Sequence, residues 1–183
     1  MIGKILILTR WQDVDDISQL VNPYCTKLDI CTFDVSRLPQ LSEKYDLIIS
    51  YCHAPIIKEP FISSCKAQII NVHPTYLPYG RGIYPIVWAC LNGDPFGASL
   101  HLIDSEEIDS GAIIERVRIY LDDNLTLQDA RNVFMLNARS MLKRFLKNYL
   151  ILCKAILEKS SLIKIGFNLQ NFTTNCLMDG KQQ

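Results

Sequence analysis

The sequence predicts an α/β fold with a parallel or mixed sheet, flanking helices and a long C-terminal helix. Short runs rich in Ile, Val, Leu and Tyr recur before residue 73. These runs are apolar throughout rather than alternating, which is typical of strands that are covered on both faces. The chain has 183 residues, enough for one domain of ordinary size. We therefore predict one domain over 1–160 and a C-terminal tail over 161–183.

Four strands are predicted in the first part of the chain, at 4–9, 28–33, 45–51 and 67–72. The segments between these strands are short and only weakly helical, so the crossover connections are expected to be economical or partly irregular. Residues before 73 are therefore expected to form a compact parallel sheet of βαβ type.

A helix and two more strands follow the Pro/Gly-rich loop after residue 73. Pro85 lies in the first turn of the predicted helix 84–93, and Gly93 is its C-terminal stop. Strands are then predicted at 97–103 and 112–121, with a polar loop between them.

A long helix is predicted from Thr126. Thr126 and Asp129 have the spacing of a capping box, and the apolar periodicity continues to about Leu157. This span is long for one helix, so a break within it is expected. The run "LIKIGF" (162–167) is interpreted as a strand in the tail.

Charge and hydropathy give no sign of a nucleic-acid or membrane partner. Lys plus Arg and Asp plus Glu each count 19, so the net charge is zero, whereas a phosphate backbone favours a basic partner. No apolar stretch approaches the ~20 residues of a membrane-spanning helix, and no signal-peptide core is present. A cytoplasmic protein is expected.

The seven cysteines are expected to be reduced thiols, because their number is odd and no C-x-x-C pair occurs. Cys52, His53 and His101 are the best candidates for a zinc site. They lack the close paired spacing that such sites favour, so no metal is expected.

Two polar side chains lie at the end of the predicted strand 67–72. Because side chains alternate along a strand, Asn71 and His73 share one face, and Pro74 ends the strand after them. Ligand crevices in open parallel sheets form at the carboxyl ends of strands. Tyr51 and His53 follow the neighbouring predicted strand and are expected at the same rim.

Asp109 lies farther along the chain, before a Ser-Gly turn. An amide can donate to an oxyanion, an imidazole can move a proton and a carboxylate can orient the imidazole, so Asn71, His73 and Asp109 form a set suited to acyl transfer. Taken singly, each also has a structural interpretation: an Asn that caps its own backbone, a hydrogen-bonded His and an Asp in a turn. The chain has no G-x-G-x-x-G, G-x-x-x-x-G-K or G-x-S-x-G motif to favour other chemistry.

The stretch "NVHPTYLPYGRGIYPIVWACLNGDPFGASLHLIDSEEIDSGAII" resembles the core of the folate-dependent formyltransferases. The shared pattern is Asn-x-His-Pro, Leu-Pro, Arg-Gly, a helix ending in Gly-Asp, Gly-x-Ser-x-His and Asp-x-Gly-x-Ile, in that order. The similarity covers roughly residues 45–121. It implies a formyltransferase Rossmann-like fold, 10-formyltetrahydrofolate as co-substrate, and a catalytic set of Asn71, His73 and Asp109.

The resemblance also gives expectations for the rest of the site. Donor-binding residues are expected to be Tyr51, His53, Ile103, Asp104 and Glu107. Acceptor-binding residues are expected to be Tyr79, Arg81 and Tyr84. If Asp109 accepts a hydrogen bond from His73, the pKa of His73 should lie above its ordinary value of ~6.5.

Within the family, "PYGRGIYPIVW" is most similar to enzymes that formylate nucleotide-linked amino-deoxysugars. The glycine-rich phosphate loop of the glycinamide ribonucleotide enzymes is absent, and no residues remain for the RNA-binding domain of the methionyl-tRNA enzymes. The expected acceptor is a nucleotide-linked amino sugar, with a homodimer left open. The stretch before Asn71 is shorter than expected for the family, so part of a pocket could be missing. Alternatives are a folate-binding or regulatory homologue with little activity, hydrolysis of the donor, or another amine acceptor such as an amino acid or methionyl-tRNA.

Overall fold

A computed structural model describes residues 1–35, 45–122 and 124–163, and side chains in the last helix are described as far as residue 153. Contacts divide the chain into a unit over 1–147 and a second unit that begins at residue 148. All elements discussed below as parts of the site belong to the first unit. The predicted division into 1–160 and 161–183 stays a prediction.

Six strands form one mixed sheet. They are β1 Ile2–Leu8, β2 Cys25–Cys31, β3 Leu47–Tyr51, β4 Gln68–His73, β5 Gly97–Leu102 and β6 Ile113–Arg118. Their order in the sheet is β2-β1-β3-β4-β5-β6. The pairs among β1 to β4 are parallel, whereas β5 pairs antiparallel with both β4 and β6. The predicted α/β fold with a mixed sheet is confirmed.

The described helices are α1 Val14–Val21, α2 Phe61–Ser64, α3 Pro85–Asn92 and α4 Leu127–Ile163, with 3-10 turns at Trp11–Asp13 and Asn22–Tyr24. The first two helices are the short crossovers that the weak helical pattern predicted. Pro85 opens α3, and Gly93 ends it in a left-handed conformation, as predicted. No helix in the described ranges is both long and apolar enough to span a membrane.

The start of α4 confirms the predicted capping box. The Thr126 hydroxyl accepts a hydrogen bond from the Asp129 backbone N–H at 3.1 Å, and the Asp129 carboxylate accepts one from the Thr126 N–H at 3.2 Å. The predicted break before Leu157 is wrong, because α4 continues to Ile163. The first two residues of the predicted strand 162–167 are therefore helical, and the others lie outside the described residues.

The sheet is buried where the sequence is continuously apolar. All five residues of β3 are buried, and four successive residues of β1 are buried as well. One face of the sheet carries a cluster that includes Leu6, Ile48 and Ile69, against which Phe61 of α2 packs. Each such side chain contributes roughly 1.5–3 kcal/mol when fully buried. This burial fixes β3 and β4 rigidly, with their carboxyl ends side by side.

Candidate active site

A cleft of about 900 Å³ opens beside the carboxyl ends of β3 and β4. Its lining comes from both strands, from β5, from the loop after β5 and from the first turns of α3 and α4. The volume is in the range of small-molecule sites. Asn71, His73 and Asp109 all line this cleft.

Asn71 and His73 lie on one face of β4, as the alternation predicted. The antiparallel register places Asn71 opposite His101 and His73 opposite Ser99 of β5. The Ser99 hydroxyl accepts from the Leu77 N–H at 3.0 Å and donates to the Thr75 carbonyl at 2.7 Å. These two bonds hold the chain that leaves β4 against β5, so the end of the strand has a fixed direction.

Asp109 is the centre of a buried polar cluster. Its Oδ1 accepts from Asn71 Nδ2 at 3.2 Å, and its Oδ2 accepts from the Gly82 N–H at 2.9 Å. Oδ2 also lies 3.5 Å from His73 Nδ1, and Oδ1 lies 3.4 Å from His101 Nε2. The residue has a left-handed backbone with φ +50°, which is uncommon outside glycine and turns the carboxylate towards β4.

The environment of Asp109 favours its charged form. Burial alone would raise the pKa of this carboxyl. The neighbouring His101 and His73 side chains and the Gly82 N–H outweigh burial, so the pKa lies below its usual range. A carboxylate is therefore held ionised in the floor of the cleft.

His73 is 5% exposed and is held by the loop after β4. Its Nε2 lies 2.9 Å from the Gly80 carbonyl, which can only accept, so Nε2 carries a hydrogen. Gly80 has φ +64°, and a side chain there would come within 2.8 Å of Thr75. Glycine is therefore required for this carbonyl to reach the imidazole.

The pKa of His73 is lowered, not raised. Burial disfavours the imidazolium more strongly than Asp109 and the Gly80 carbonyl favour it. The expectation of a raised pKa is wrong because the sequence shows the carboxylate partner but not the burial. Neutral His73 has its hydrogen on Nε2 and a lone pair on Nδ1, which faces Asp109.

His101 is a member of the cluster that sequence reasoning did not place there. Its Nδ1 lies 2.7 Å from the Leu102 carbonyl and therefore carries a hydrogen, and its Nε2 lies 3.1 Å from Asn71 Nδ2. The Asn71 amide is thus held by both His101 and Asp109. The sequence contains one sign that His101 is a site residue, because a His inside an apolar strand is unusual. Its cross-strand partner, however, cannot be read from the neighbouring residues.

The zinc alternative finds no support in the described residues. His101 faces Asn71 and Asp109, not Cys52, and no group of three His, Cys, Asp or Glu side chains in the described ranges is arranged to hold a metal ion. All six cysteines that the structure describes are free thiols.

The predicted donor-binding residues divide into two groups. His53, Ile103, Asp104 and Glu107 line the cleft. Tyr51 does not, because it pairs with Val72, so that strand alternation places its side chain on the face opposite Asn71, 1% exposed. The placement of Tyr51 at the rim is therefore corrected.

His53 has the least satisfied side chain in the cleft. Both ring nitrogens are buried, and neither has a hydrogen-bond partner among the described residues. Burial lowers the pKa of His53, with a smaller opposing effect from Asp34. A buried polar group without a partner is costly, so His53 is suited to a hydrogen bond with a ligand.

One of the three predicted acceptor-binding residues lines the cleft. Tyr84 lines the cleft and is exposed, with φ +54° at the start of α3. Tyr79 and Arg81 are outside the lining. Arg81 Nη1 instead lies 3.6 Å from Glu107 Oε1, in an exposed ion pair between two loops.

The chain is similar to known formyl transferases. The sequence model described as "Formyl transferase" matches residues 39–145, which include Asn71, His73, His101 and Asp109. Methionyl-tRNA formyltransferase of Finegoldia magna is 29% identical over 105 residues, which are 57% of this chain and 34% of that protein. GDP-perosamine N-formyltransferase of Brucella melitensis is 35% identical over 82 residues, which are 44% of this chain and 31% of that protein. The chain thus spans about a third of the length of these curated relatives.

Solved structures show the same fold. The formyltransferase PseJ from Anoxybacillus kamchatkensis superposes with a TM-score of 0.67 at 24% identity, over 78% of this chain and 74% of that one. Phosphoribosylglycinamide formyltransferase from Bacillus halodurans gives a TM-score of 0.66 at 16% identity, over 81% of this chain and 95% of that one. The Rossmann-like sheet predicted from the resemblance is thereby confirmed.

Proposed function

The chain belongs to the formyl transferase family, and we propose that it transfers a formyl group from 10-formyltetrahydrofolate to the amine of a nucleotide-linked amino sugar. The observation that carries this proposal is the buried cluster of Asn71, His73 and Asp109 in a cleft large enough for a small-molecule ligand. Formyl transfer needs donors for an oxyanion and a group that moves a proton, and this cluster contains both.

The proposed reaction proceeds through a tetrahedral species. The amine nitrogen bonds to the formyl carbon, and the carbonyl electrons move to oxygen. One amine proton leaves. The bond from the formyl carbon to the folate nitrogen then breaks, and that nitrogen takes up a proton. Atoms and charge balance with no other reactant.

Neutral His73 fits the role of proton acceptor in this scheme. Its lowered pKa keeps Nδ1 unprotonated, and a proton arriving on Nδ1 would face Asp109 Oδ2 at 3.5 Å. The carboxylate then stabilises the imidazolium as it forms. The proton passes on to the folate nitrogen through water or directly.

Asn71 is proposed to donate to the oxyanion. Both hydrogens of its amide are engaged by Asp109 and His101 in the structure, at 3.2 Å and 3.1 Å. One of these N–H groups turns to the substrate oxygen as the oxyanion forms, and the other keeps its present acceptor. His101 is therefore proposed as a positioning residue for the amide.

The donor is proposed to bind along the loop after β5. Asp104 and Glu107 offer carboxylate acceptors there, Ile103 offers an apolar surface, and His53 offers ring nitrogens without a described partner. Amino and ring N–H groups of a pterin suit carboxylate acceptors. The structure of PseJ was solved in complex with tetrahydrofolate, which supports the same co-substrate here.

The acceptor class rests on the relatives. PseJ was solved with UDP-4,6-dideoxy-4-formamido-L-AltNAc, and the Brucella melitensis relative is a GDP-perosamine N-formyltransferase. The similarity to methionyl-tRNA formyltransferase favours a second candidate, the amine of an aminoacyl-tRNA. We favour the sugar because the chain has no net positive charge for an RNA backbone. The cytoplasmic location, the homodimer and the lack of a nucleic-acid partner stay predictions.

A mass-spectrometric screen tests the proposal. The full chain is incubated with 10-formyltetrahydrofolate and a panel of nucleotide-linked amino sugars, with methionyl-tRNA as a separate arm and Asn71→Ala as the inactive control. A sugar product heavier by one formyl group, formed together with tetrahydrofolate, is expected. Formate release without acceptor would indicate donor hydrolysis, and folate binding without any product would indicate a binding protein.

A further inference from the structure

The lining of the cleft carries charges of both signs, contributed by different elements. The loop after β5 contributes the carboxylates of Asp104, Glu106 and Glu107. The segment after β1 and the first turns of α4 contribute Arg10 and Arg131. A ligand in the cleft therefore meets carboxylate acceptors from the loop after β5 and guanidinium donors from other elements.

Among the arginines in the described ranges, Arg118 and Arg131 have no hydrogen bond or ion pair, but Arg118 is exposed and lies over the Tyr120 ring, 5.5 Å from its centroid. Arg10, Arg81 and Arg139 each form an ion pair with a carboxylate, to Asp13, Glu107 and Asp16 respectively. Arg144 pairs with Glu115, and Arg116 donates to the Leu77 carbonyl. Arg131 has no hydrogen bond or ion pair with any described residue, although it is partly buried. A partly buried cation without an anion is costly unless a ligand supplies one.

The face of α4 that lines the cleft directs Arg131 towards it. Leu127, Gln128, Arg131 and Met135 all line the cleft, and their spacing of three to four residues places them on one side of the helix. Arg131 therefore lies in the lining of the cleft and not on the solvent-facing side of α4.

The charges of Arg10 and Arg131 both affect the pKa of the Cys52 thiol. Burial raises the pKa of the Cys52 thiol, with a further increase from Asp13, and the charges of Arg10 and Arg131 oppose this. Arg10, Cys52 and Arg131 all line the cleft, and Cys52 directly follows β3. Arg10 Nε and Nη2 already bind Asp13 at 2.8 Å and 2.7 Å, so Arg131 is the less neutralised of the two.

We propose that Arg131, assisted by Arg10, binds the diphosphate of the acceptor. The inference rests on the proposed function and adds the residues that select the acceptor. A guanidinium offers a planar pair of donors that matches phosphate oxygens. These charge-assisted hydrogen bonds are stronger in a cleft that contains little water. Arg81 is less suited, because it is exposed, lies outside the cleft and is paired with Glu107.

An anion could also come from the donor, whose glutamate carries carboxylates. The charge distribution favours the acceptor, because the donor is proposed to occupy the carboxylate-lined wall. Binding experiments with nucleotide alone and with folate alone distinguish these two sources.

The test is calorimetric titration of the full chain with UDP, dTDP and GDP, and separately with tetrahydrofolate. At least one nucleoside diphosphate should bind the unaltered chain, and Arg131→Gln should weaken that binding about ten- to a hundredfold, as for the loss of a charge-assisted pair of hydrogen bonds. Arg131→Lys keeps the charge but loses the fork, so its affinity should lie between the two. Arg139→Gln changes the same residue type on the same helix outside the cleft and should bind nucleotide normally.

Tetrahydrofolate affinity should be the same in all four proteins. The proposal is overturned if none of the three nucleotides binds, if Arg131→Gln binds nucleotide as well as Arg139→Gln, or if Arg131→Gln weakens folate instead. These measurements need no turnover. A chain that binds nucleotide through Arg131 but transfers no formyl group would retain the subsite and refute only the proposed reaction.

Discussion

Asp109→Asn removes one charge from the catalytic cluster while nearly preserving the size of the side chain. In the structure Asp109 Oδ2 lies 3.5 Å from His73 Nδ1, and the Asp109 side chain is only 11% exposed. At that separation a full charge pair is worth about 1.2 kcal/mol in water and about 4.7 kcal/mol at an effective dielectric constant of 20. If His73 becomes charged in the transition state, turnover should fall by roughly tenfold to 10³-fold.

The pH dependence of kcat/KM shows in which direction the charge of Asp109 shifts the pKa of His73. With neutral His73 as the proposed proton acceptor and its pKa lowered by burial, activity of the unaltered chain should decline only at pH values below about 6.5. Asp109 opposes that lowering. Without its charge the pKa of His73 falls further, and the acid limb should move to lower pH. Asp94→Asn, a carboxylate outside the cleft, should leave the limb unchanged.

Two results would contradict this reasoning. One is an acid limb that stays in place or moves to higher pH in Asp109→Asn. The other is loss of tetrahydrofolate binding in calorimetry, with the residual turnover keeping the original pH profile. Asp109 would then shape the donor site through its contact with the Gly82 N–H, and its charge would have no part in proton transfer.

Three other outcomes are expected. Asn71→Ala should lower turnover by about 10²–10⁴ with an unchanged circular dichroism spectrum, because it removes an oxyanion donor at the rim of the fold; near-normal turnover would exclude Asn71 from the mechanism. The free energy of unfolding should decrease as the pH falls below about 6.5, because unfolded His53 and His73 bind protons that the folded chain disfavours; denaturant titrations of His73→Gln should show a weaker pH dependence. Gly111→Ala should lower the melting temperature, because its Cβ would collide with the Leu102 carbonyl; an unchanged melting temperature would show that the turn can relax.

Local sequence patterns were sufficient to predict most of the fold. Continuous apolar runs located the parallel strands, and Pro85 and Gly93 located both ends of α3. The direction of β5 could not be predicted, because pairing is a contact between distant segments and both directions suit an apolar strand. The end of α4 was also misjudged, since a helix continues through residues whose apolar periodicity has faded when nothing breaks it.

The candidate site was partly predictable for related reasons. Alternation along β4 placed Asn71 and His73 on one face, but the same rule places Tyr51 on the other, because Tyr51 pairs with Val72. His101 was missed because its partner Asn71 is set by the register between β4 and β5. The pKa of His73 required knowledge of burial, which depends on the whole fold.

One continuous stretch of chain, from β4 to the turn before β6, contributes the polar cluster around Asp109. The two arginines of the cleft come from elsewhere, Arg10 from the segment after β1 and Arg131 from α4. The residues proposed for the chemistry and those proposed for acceptor binding therefore come from different segments of the sequence. Mutations that alter the first turns of α4 can accumulate without disturbing the hydrogen bonds around Asp109. On the proposed assignment, the first turns of α4 are the segment to exchange when an acceptor preference is to be changed.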